Sequence, residues 1–271
     1  MNSTSKIYFD KDKFNEYFLK HVFIPTVTNP EQNIYKNTLD PFSAKLDILV
    51  NSIKPQAWLA QEKVRQKQKT LQNKIGLLHQ SIVGFFDGWD DLGKGGVIDV
   101  VNHERKIIAE IKNKFNTKTG QDRVDIYDAL NNQLNQNFNN YIGYYVEILP
   151  KNQKSYNEVF TPSDNEKNNL KNKLINKYKK TANNQYLIKA ESIEVNRKAN
   201  ENIRVIDGLS WYTLVSGDKN FIFDLYNKHI INAIKYSDEQ TDHQYLSISL
   251  HDALKDNAIF DKFLNKAYFL D

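Results

Sequence analysis

The 271-residue chain contains no cysteine. That rules out a disulfide framework and any thiolate metal site, and it fits a reducing compartment. No apolar run approaches the ~20 residues that a membrane-crossing helix needs. The segment Met1-Asn2-Ser3-Thr4-Ser5-Lys6 has no signal-peptide apolar region. The expectation is a cytoplasmic protein without a membrane partner. Zinc-finger spacing, a helix-turn-helix signature and a Walker loop are also missing, so zinc modules and P-loop chemistry have no support. Charge of one sign is scarce in excess: the net charge is +4 and the pI near 8.8. This mildly basic balance suits a nucleic-acid partner but is shared by many proteins that bind none. Abundant Asn, Lys and Ile point to an AT-rich bacterial genome, which is a coding bias and not a function.

What the chain does have is charge in an unexpected place. Gly95-Gly96-Val97-Ile98-Asp99-Val100-Val101 is followed by the polar link Asn102-His103-Glu104-Arg105-Lys106, then by Ile107-Ile108-Ala109-Glu110-Ile111-Lys112. Residues 97–101 and 107–115 are rich in β-branched and aromatic residues and predict two strands. Paired as a tight hairpin around Glu104 and Arg105, they set Asp99 opposite Glu110, with Cβ atoms roughly 4.5–5.5 Å apart. Side chains alternate along a strand, so Lys112 shares that face while Ile107, Ala109 and Ile111 point into a core. Two carboxylates that close repel unless a proton or cation sits between them. A few hard oxygen ligands suit Mg²⁺, which keeps several waters and is often completed by a phosphate. The bland alternative is a solvated hairpin face whose ion pairs contribute little. The apolar flanks on both faces argue for a central strand instead.

An acidic residue followed about ten residues later by Glu-x-Lys on the next strand resembles the PD-(D/E)xK nuclease motif, with Ile98 in place of the usual proline. The longer string Ala109-Glu110-Ile111-Lys112-Asn113-Lys114-Phe115-Asn116-Thr117 is more specific. So are Asn73-Lys74-Ile75-Gly76, His79-Gln80, Gly88-Trp89 and Gly95-Gly96. Together, over residues 55–150, they resemble the type II restriction endonucleases that cut GGNCC. The resemblance implies a Mg²⁺-dependent phosphodiester hydrolase, with Mn²⁺ able to substitute. Asp99, Glu110 and the Ile111 carbonyl would bind the metal, and Lys112 would hold the attacking water. It further implies double-stranded DNA as partner, a homodimer on a near-palindromic site, and a cognate DNA methyltransferase. Asn102 and His103 in the motif turn, and Lys114, Asn116, Thr117 and Lys118 beyond it, become candidates for DNA contact. Arg123 and Arg204 are candidates by residue type only.

The organisation along the chain is α, β, crossover, then a mixed tail. Pro55 opens a long helix over 55–83 with an apolar stripe of Val64, Leu71, Ile75, Leu78 and Ile82. Its other face is basic (Lys63, Arg65, Lys67, Lys69, Lys74), and Glu62 is a candidate further carboxylate. Residues 121–138 predict a second helix and 141–149 a strongly apolar strand, a crossover onto the same sheet. Past Pro150, a capping box at Ser163-Asp164-Asn165-Glu166 predicts a lysine-rich helix. Residues 186–195 and 203–215 alternate like strands, the latter with Asp207-Gly208 as a hairpin turn. Residues 219–235 and 251–268 look helical. The expected fold is α/β (α+β): a restriction-endonuclease-like core with a central mixed sheet flanked by helices, and an added C-terminal α/β region. The expected division is an N-terminal extension (1–54), a nuclease core (55–150) and a recognition and core-completing region (151–271), or one domain overall. Two other readings remain: a nuclease of the same fold used in repair or phage defence, and a non-catalytic DNA-binding domain.

Overall fold

A computed structural model describes residues 6–27, 39–93, 95–114, 120–150, 154–161, 200–241 and 257–268. The named helices are α1 (Lys11–Phe18), α2 (Pro41–Val50), α3 (Pro55–Val83), α4 (Gly120–Gln136), α5 (Gly208–Ser216), α6 (Ile230–Gln240) and α7 (Asn257–Tyr268). The strands are β1 (Asp90–Asp91), β2 (Val100–Asn102), β3 (Ile107–Lys114), β4 (Ile142–Leu149), β5 (Asn157–Val159) and β6 (Ile203–Asp207). The chain forms two compact units. One, helical, takes 11–78 and 226–256; the other, built on the sheet, takes 1–10, 79–225 and 257–271.

In the helical unit, α1 runs on through a π-helical stretch, Leu19–Phe23, and buries Phe14, Phe18, Val22 and Phe23. It packs against α6. The start of α2 is set by Asp40, whose side chain accepts from the Phe42 N–H at 2.9 Å, with Pro41 in the first turn. None of its residues is buried. Phe42, Leu46, Leu49 and Val50 recur at helical spacing and are 51–76% exposed, an apolar stripe open to solvent. The α3 bounds match the expected 55–83. Its stripe does not: Val64 is exposed, while Glu62 and Gln66 are buried and hydrogen-bonded to each other. Glu62 also pairs with Arg65. Over so long a helix, packing partners rather than periodicity choose the buried face.

The sheet has the order β1-β2-β3-β4-β6-β5. β2 and β3 are antiparallel in the register Val100↔Ala109, Val101↔Ile108, Asn102↔Ile107. β3 and β4 are parallel, as are β4 and β6. The short edges β1 and β5 are antiparallel to their neighbours. The sheet is mixed and flanked by helices, as expected. A parallel β3–β4 pair needs a crossover, and α4 supplies it. Val124, Tyr127, Leu130 and Leu134 of α4 pack on Val101, Ile108, Tyr145, Ile203 and Val205. The other face carries α5, where Trp211 meets Tyr144 and Trp89 at ring separations of 5.7 and 5.4 Å. Both faces of β3 are thus covered, and Ile107, Ile108, Ala109 and Ile111 are all buried.

The expected hairpin at Asp207-Gly208 is absent; α5 begins there. Asp207 is buried and caps the helix, accepting from the Leu209 and Ser210 N–H groups at 2.9 and 3.1 Å. It also accepts from Tyr156 N–H and the Ser155 hydroxyl. An Asp-Gly pair serves a helix start as well as a turn, and tertiary bonds decided between them. The expected helix 163–178, the strand 186–195, and Asn116, Thr117 and Lys118 lie outside the described residues.

Gly208 passes so close to β4 that a Cβ would sit 2.4 Å from the Ile148 carbonyl oxygen. Backbone cannot yield as a side chain does. Gly208→Ala is expected to destabilise the sheet unit by at least about 2 kcal/mol, several degrees in Tm by thermal melting.

Candidate active site

The site begins with how Asp99 is held. Its N–H donates to the Ala109 carbonyl at 2.9 Å, and its carbonyl accepts from Leu92 N–H at 2.8 Å. Its carboxylate accepts from the Ile111 N–H at 2.6 Å. Asp99 lies one residue before β2, outside the paired register, and its side chain adjoins that of Glu110. Asp99 is 9% exposed. Glu110 forms an ion pair with Lys112 through Oε1, while its Oε2 is buried and accepts no hydrogen bond. The Ile111 carbonyl takes a long bond, 3.5 Å, from Gln80 at the end of α3.

Burial pushes the Glu110 carboxyl up to about 7, and the neighbouring Asp99 charge adds to the shift against the opposing Lys112 ammonium. Burial also raises Asp99, opposed first by the Ile111 N–H and then by Lys112. Two carboxylates in a desolvated spot, one with an oxygen lacking any partner, form a donor set that a hard cation would complete. Among the described residues no group of three or more His, Cys, Asp or Glu side chains is placed to hold a metal. Two carboxylates alone would leave most of the shell of such an ion to water.

A second polar layer continues along the same sheet face. Tyr145 lies opposite Glu110, and Glu147 opposite Lys112, in the β3–β4 register. Glu147 is 1% exposed and bound by Arg123 at 2.7 Å and by the Tyr156 hydroxyl. The Arg123 guanidinium also lies 5.6 and 5.3 Å from the Tyr145 and Phe160 ring centres. Arg123, a candidate DNA contact by type, is here engaged within the protein. Burial and then Glu147 raise the Tyr156 phenol. Sequence reading treated the β4 aromatics as core and missed Glu147. The available signal was a glutamate in an apolar strand, in phase with Tyr145 once β4 pairs parallel to β3.

The remaining candidates are scattered. Asn102 is buried and its Oδ1 accepts from Arg105 N–H at 2.7 Å, closing the hairpin turn. His103 is exposed, 3.0 Å from the Tyr141 hydroxyl and stacked on Phe138. Lys114 ends β3, exposed. Arg204 binds Asn157 on β5. The large open cleft of the sheet unit, about 1180 Å³, is lined by Asn102, Arg105, Ser210 and Thr213 rather than by the carboxylates. Asp99, Glu110 and Lys112 lie outside that lining, just before β2 and along β3.

The raised Glu110 pKa has a stability consequence. Its neutral form is favoured in the fold, so the associated stability is full below the ordinary value of 4.5 and is lost as pH rises through about 7. In EDTA, Glu110→Gln is expected to match the unaltered protein in Tm near pH 4.5 and to exceed it increasingly up to pH 8. Equal melting curves at pH 8 would refute this reading of the site.

The family model described as Eco47II restriction endonuclease matches residues 8–182, which include Asp99, Glu110 and Lys112. The type II restriction enzyme Eco47II of Escherichia coli is 36% identical over 209 residues, 76% of this chain and 76% of that protein. The type II restriction enzyme Sau96I of Staphylococcus aureus is 32% identical over 126 residues, 46% of this chain and 47% of that one. A carboxylate pair and lysine on a mixed sheet, within a match of this extent, place the chain in the Eco47II restriction endonuclease family.

Proposed function

We propose that the chain cuts double-stranded DNA at a short specific site, of the GGNCC type, by divalent-metal-dependent hydrolysis of phosphodiester bonds. The observation that carries this reading is the orphaned, buried Oε2 of Glu110 beside Asp99 and Lys112. The names of both relatives, type II restriction enzymes, support site-specific cleavage.

Asp99 and Glu110 would hold Mg²⁺, or Mn²⁺ in its place, with the Ile111 carbonyl as a further ligand. The chemistry such an ion supplies is a lower pKa for bound water and relief of charge on the scissile phosphate. Lys112 acts on the attacking water and on the charge that grows at the phosphorus oxygens. Its ammonium is paired with Glu110, so it is held within reach of the reacting group before DNA arrives. The Ile111 N–H opposes the burial that raises Asp99 and holds one of its carboxylate oxygens.

Among the described residues each chain carries one such cluster, and two strands must be cut. The working unit is therefore a homodimer, whose two-fold axis would mirror a near-palindromic site. A methyltransferase of the same specificity would protect the host DNA. Lys114 and His103 flank the cluster's hairpin and are proposed DNA contacts; Asn102 supports the turn that carries His103. Asn116, Thr117 and Lys118 keep the same proposed role on sequence grounds, whereas Arg123 is taken up by Glu147.

Digestion of unmethylated plasmid DNA with Mg²⁺ should give discrete fragments, and sequencing their ends should return one short motif. A smear or a structure-selective nick would favour the repair or phage-defence reading. Asp99→Asn, Glu110→Ala and Lys112→Ala should each lower cleavage by about 10³-fold or more while DNA binding persists. Cleavage at wild-type rates in these variants would exclude the assigned cluster. Because a proton competes with the metal at Glu110, the Mg²⁺ needed for half-maximal cleavage should fall as pH rises to about 7 and level off above it.

A further inference from the structure

The antiparallel pairing of β2 with β3 ends at Val100↔Ala109. Beyond that pair, side chains rather than a strand meet the backbone of Ile111. Its N–H is taken by the Asp99 carboxylate at 2.6 Å. Its carbonyl is met by the Gln80 side-chain amide across 3.5 Å. The same amide hydrogen-bonds the Asp99 carboxylate. A carbonyl and an ionised carboxylate only accept, so one NH₂ group, with its two hydrogens, donates to both. Gln80 thus touches two of the three groups proposed to hold the cation. It comes from α3, outside the hairpin that carries them.

A fixed element delivers this amide. Gln80 is half-buried in the last turn of α3, where His79, Ser81, Ile82 and Val83 are buried. His79 Nδ1 lies 2.9 Å from the Tyr212 hydroxyl on α5. Just past the helix, Gly84 runs so close to β1 that a Cβ would sit 2.8 Å from the Asp91 Cβ. The turn is therefore held on both sides of Gln80. The bond to the Ile111 carbonyl is at the long limit for N–H···O, which leaves that oxygen able to take a further partner. The residue type matters as well. A glutamate here could only accept, and it would add a third charge beside two carboxylates, whereas an amide orients both acceptors without adding charge.

We propose that Gln80 is a positioning residue of the metal site: its amide turns the Asp99 carboxylate and the Ile111 carbonyl onto one point before the cation arrives. This rests on the metal-binding reading given above. Partners that orient a metal's ligands without binding the metal commonly change affinity 10–100-fold when removed.

The test is Mn²⁺ binding to the full chain at pH 8 without DNA, read by electron paramagnetic resonance of the free ion. The site counted is the one that Glu110→Ala removes. Gln80→Met keeps the length of the side chain and loses the amide; its Kd for Mn²⁺ should rise about tenfold, while its melting temperature in EDTA stays near that of the unaltered protein. Gln80→Glu supplies a third carboxylate; it should melt lower in EDTA and bind Mn²⁺ more tightly. Opposite shifts in affinity are not expected of a side chain that only packs. An unchanged Kd in Gln80→Met, or a Kd in Gln80→Glu that does not fall, would overturn the inference and leave the metal site standing. Absence of Mn²⁺ binding by the unaltered chain would overturn the metal site and the role of Gln80 together.

Discussion

The candidate site depends on keeping two carboxylates out of water and close together. Left to itself, such a pair is unfavourable: each charge loses hydration and each repels the other. Three fixed groups offset this: the Ile111 N–H on Asp99, the Lys112 ammonium on Glu110, and the backbone bonds that pin Asp99 between Leu92 and Ala109. They do not cancel it. Both carboxyls remain raised, and one oxygen of Glu110 remains without a partner. The residual cost is carried by the fold, and the cation proposed to bind there would relieve it.

That constraint explains the build of the sheet around it. β3 needs apolar cover on both faces to keep the site dry, which α4 and α5 provide. It also needs rigidity at its C-terminal end. There the parallel partner β4 supplies Tyr145 and Glu147 on the same face, and β6 ends in Asp207, which ties β5, β6 and α5 into one corner. Arg123 from the crossover helix closes the layer against Glu147. Side chains that look unrelated along the chain thus hold one another at the end of the sheet where the reaction is proposed to occur.

Much of this was legible in the residues. The nearness of Asp99 and Glu110 follows from the short polar link that joins adjacent antiparallel strands, because a hairpin is a local property. The bounds of α3, the crossover helix and β4 follow from apolar periodicity bounded by Pro55 and Pro150. The exposed Val64 and the buried Glu62 were not legible, because which face of a long helix is covered depends on elements far away in sequence. Asp207-Gly208 was misread for a related reason. The local signal allows both a turn and a helix cap, and the bonds from Tyr156 and Ser155 that settle the matter come from some fifty residues upstream.

By itself, then, the sequence determined the candidate cluster and the order of the elements that carry it, since both arise from short-range geometry and the repeat of strand and helix. Only the tertiary structure decided what surrounds that cluster. The parallel pairing of β3 with β4 brings Tyr145 and Glu147 beside Glu110 and Lys112, and it draws Arg123 into an internal ion pair. No local pattern encodes those neighbours, because a parallel ladder joins segments about thirty-five residues apart through a register that the core packing, not the intervening chain, selects.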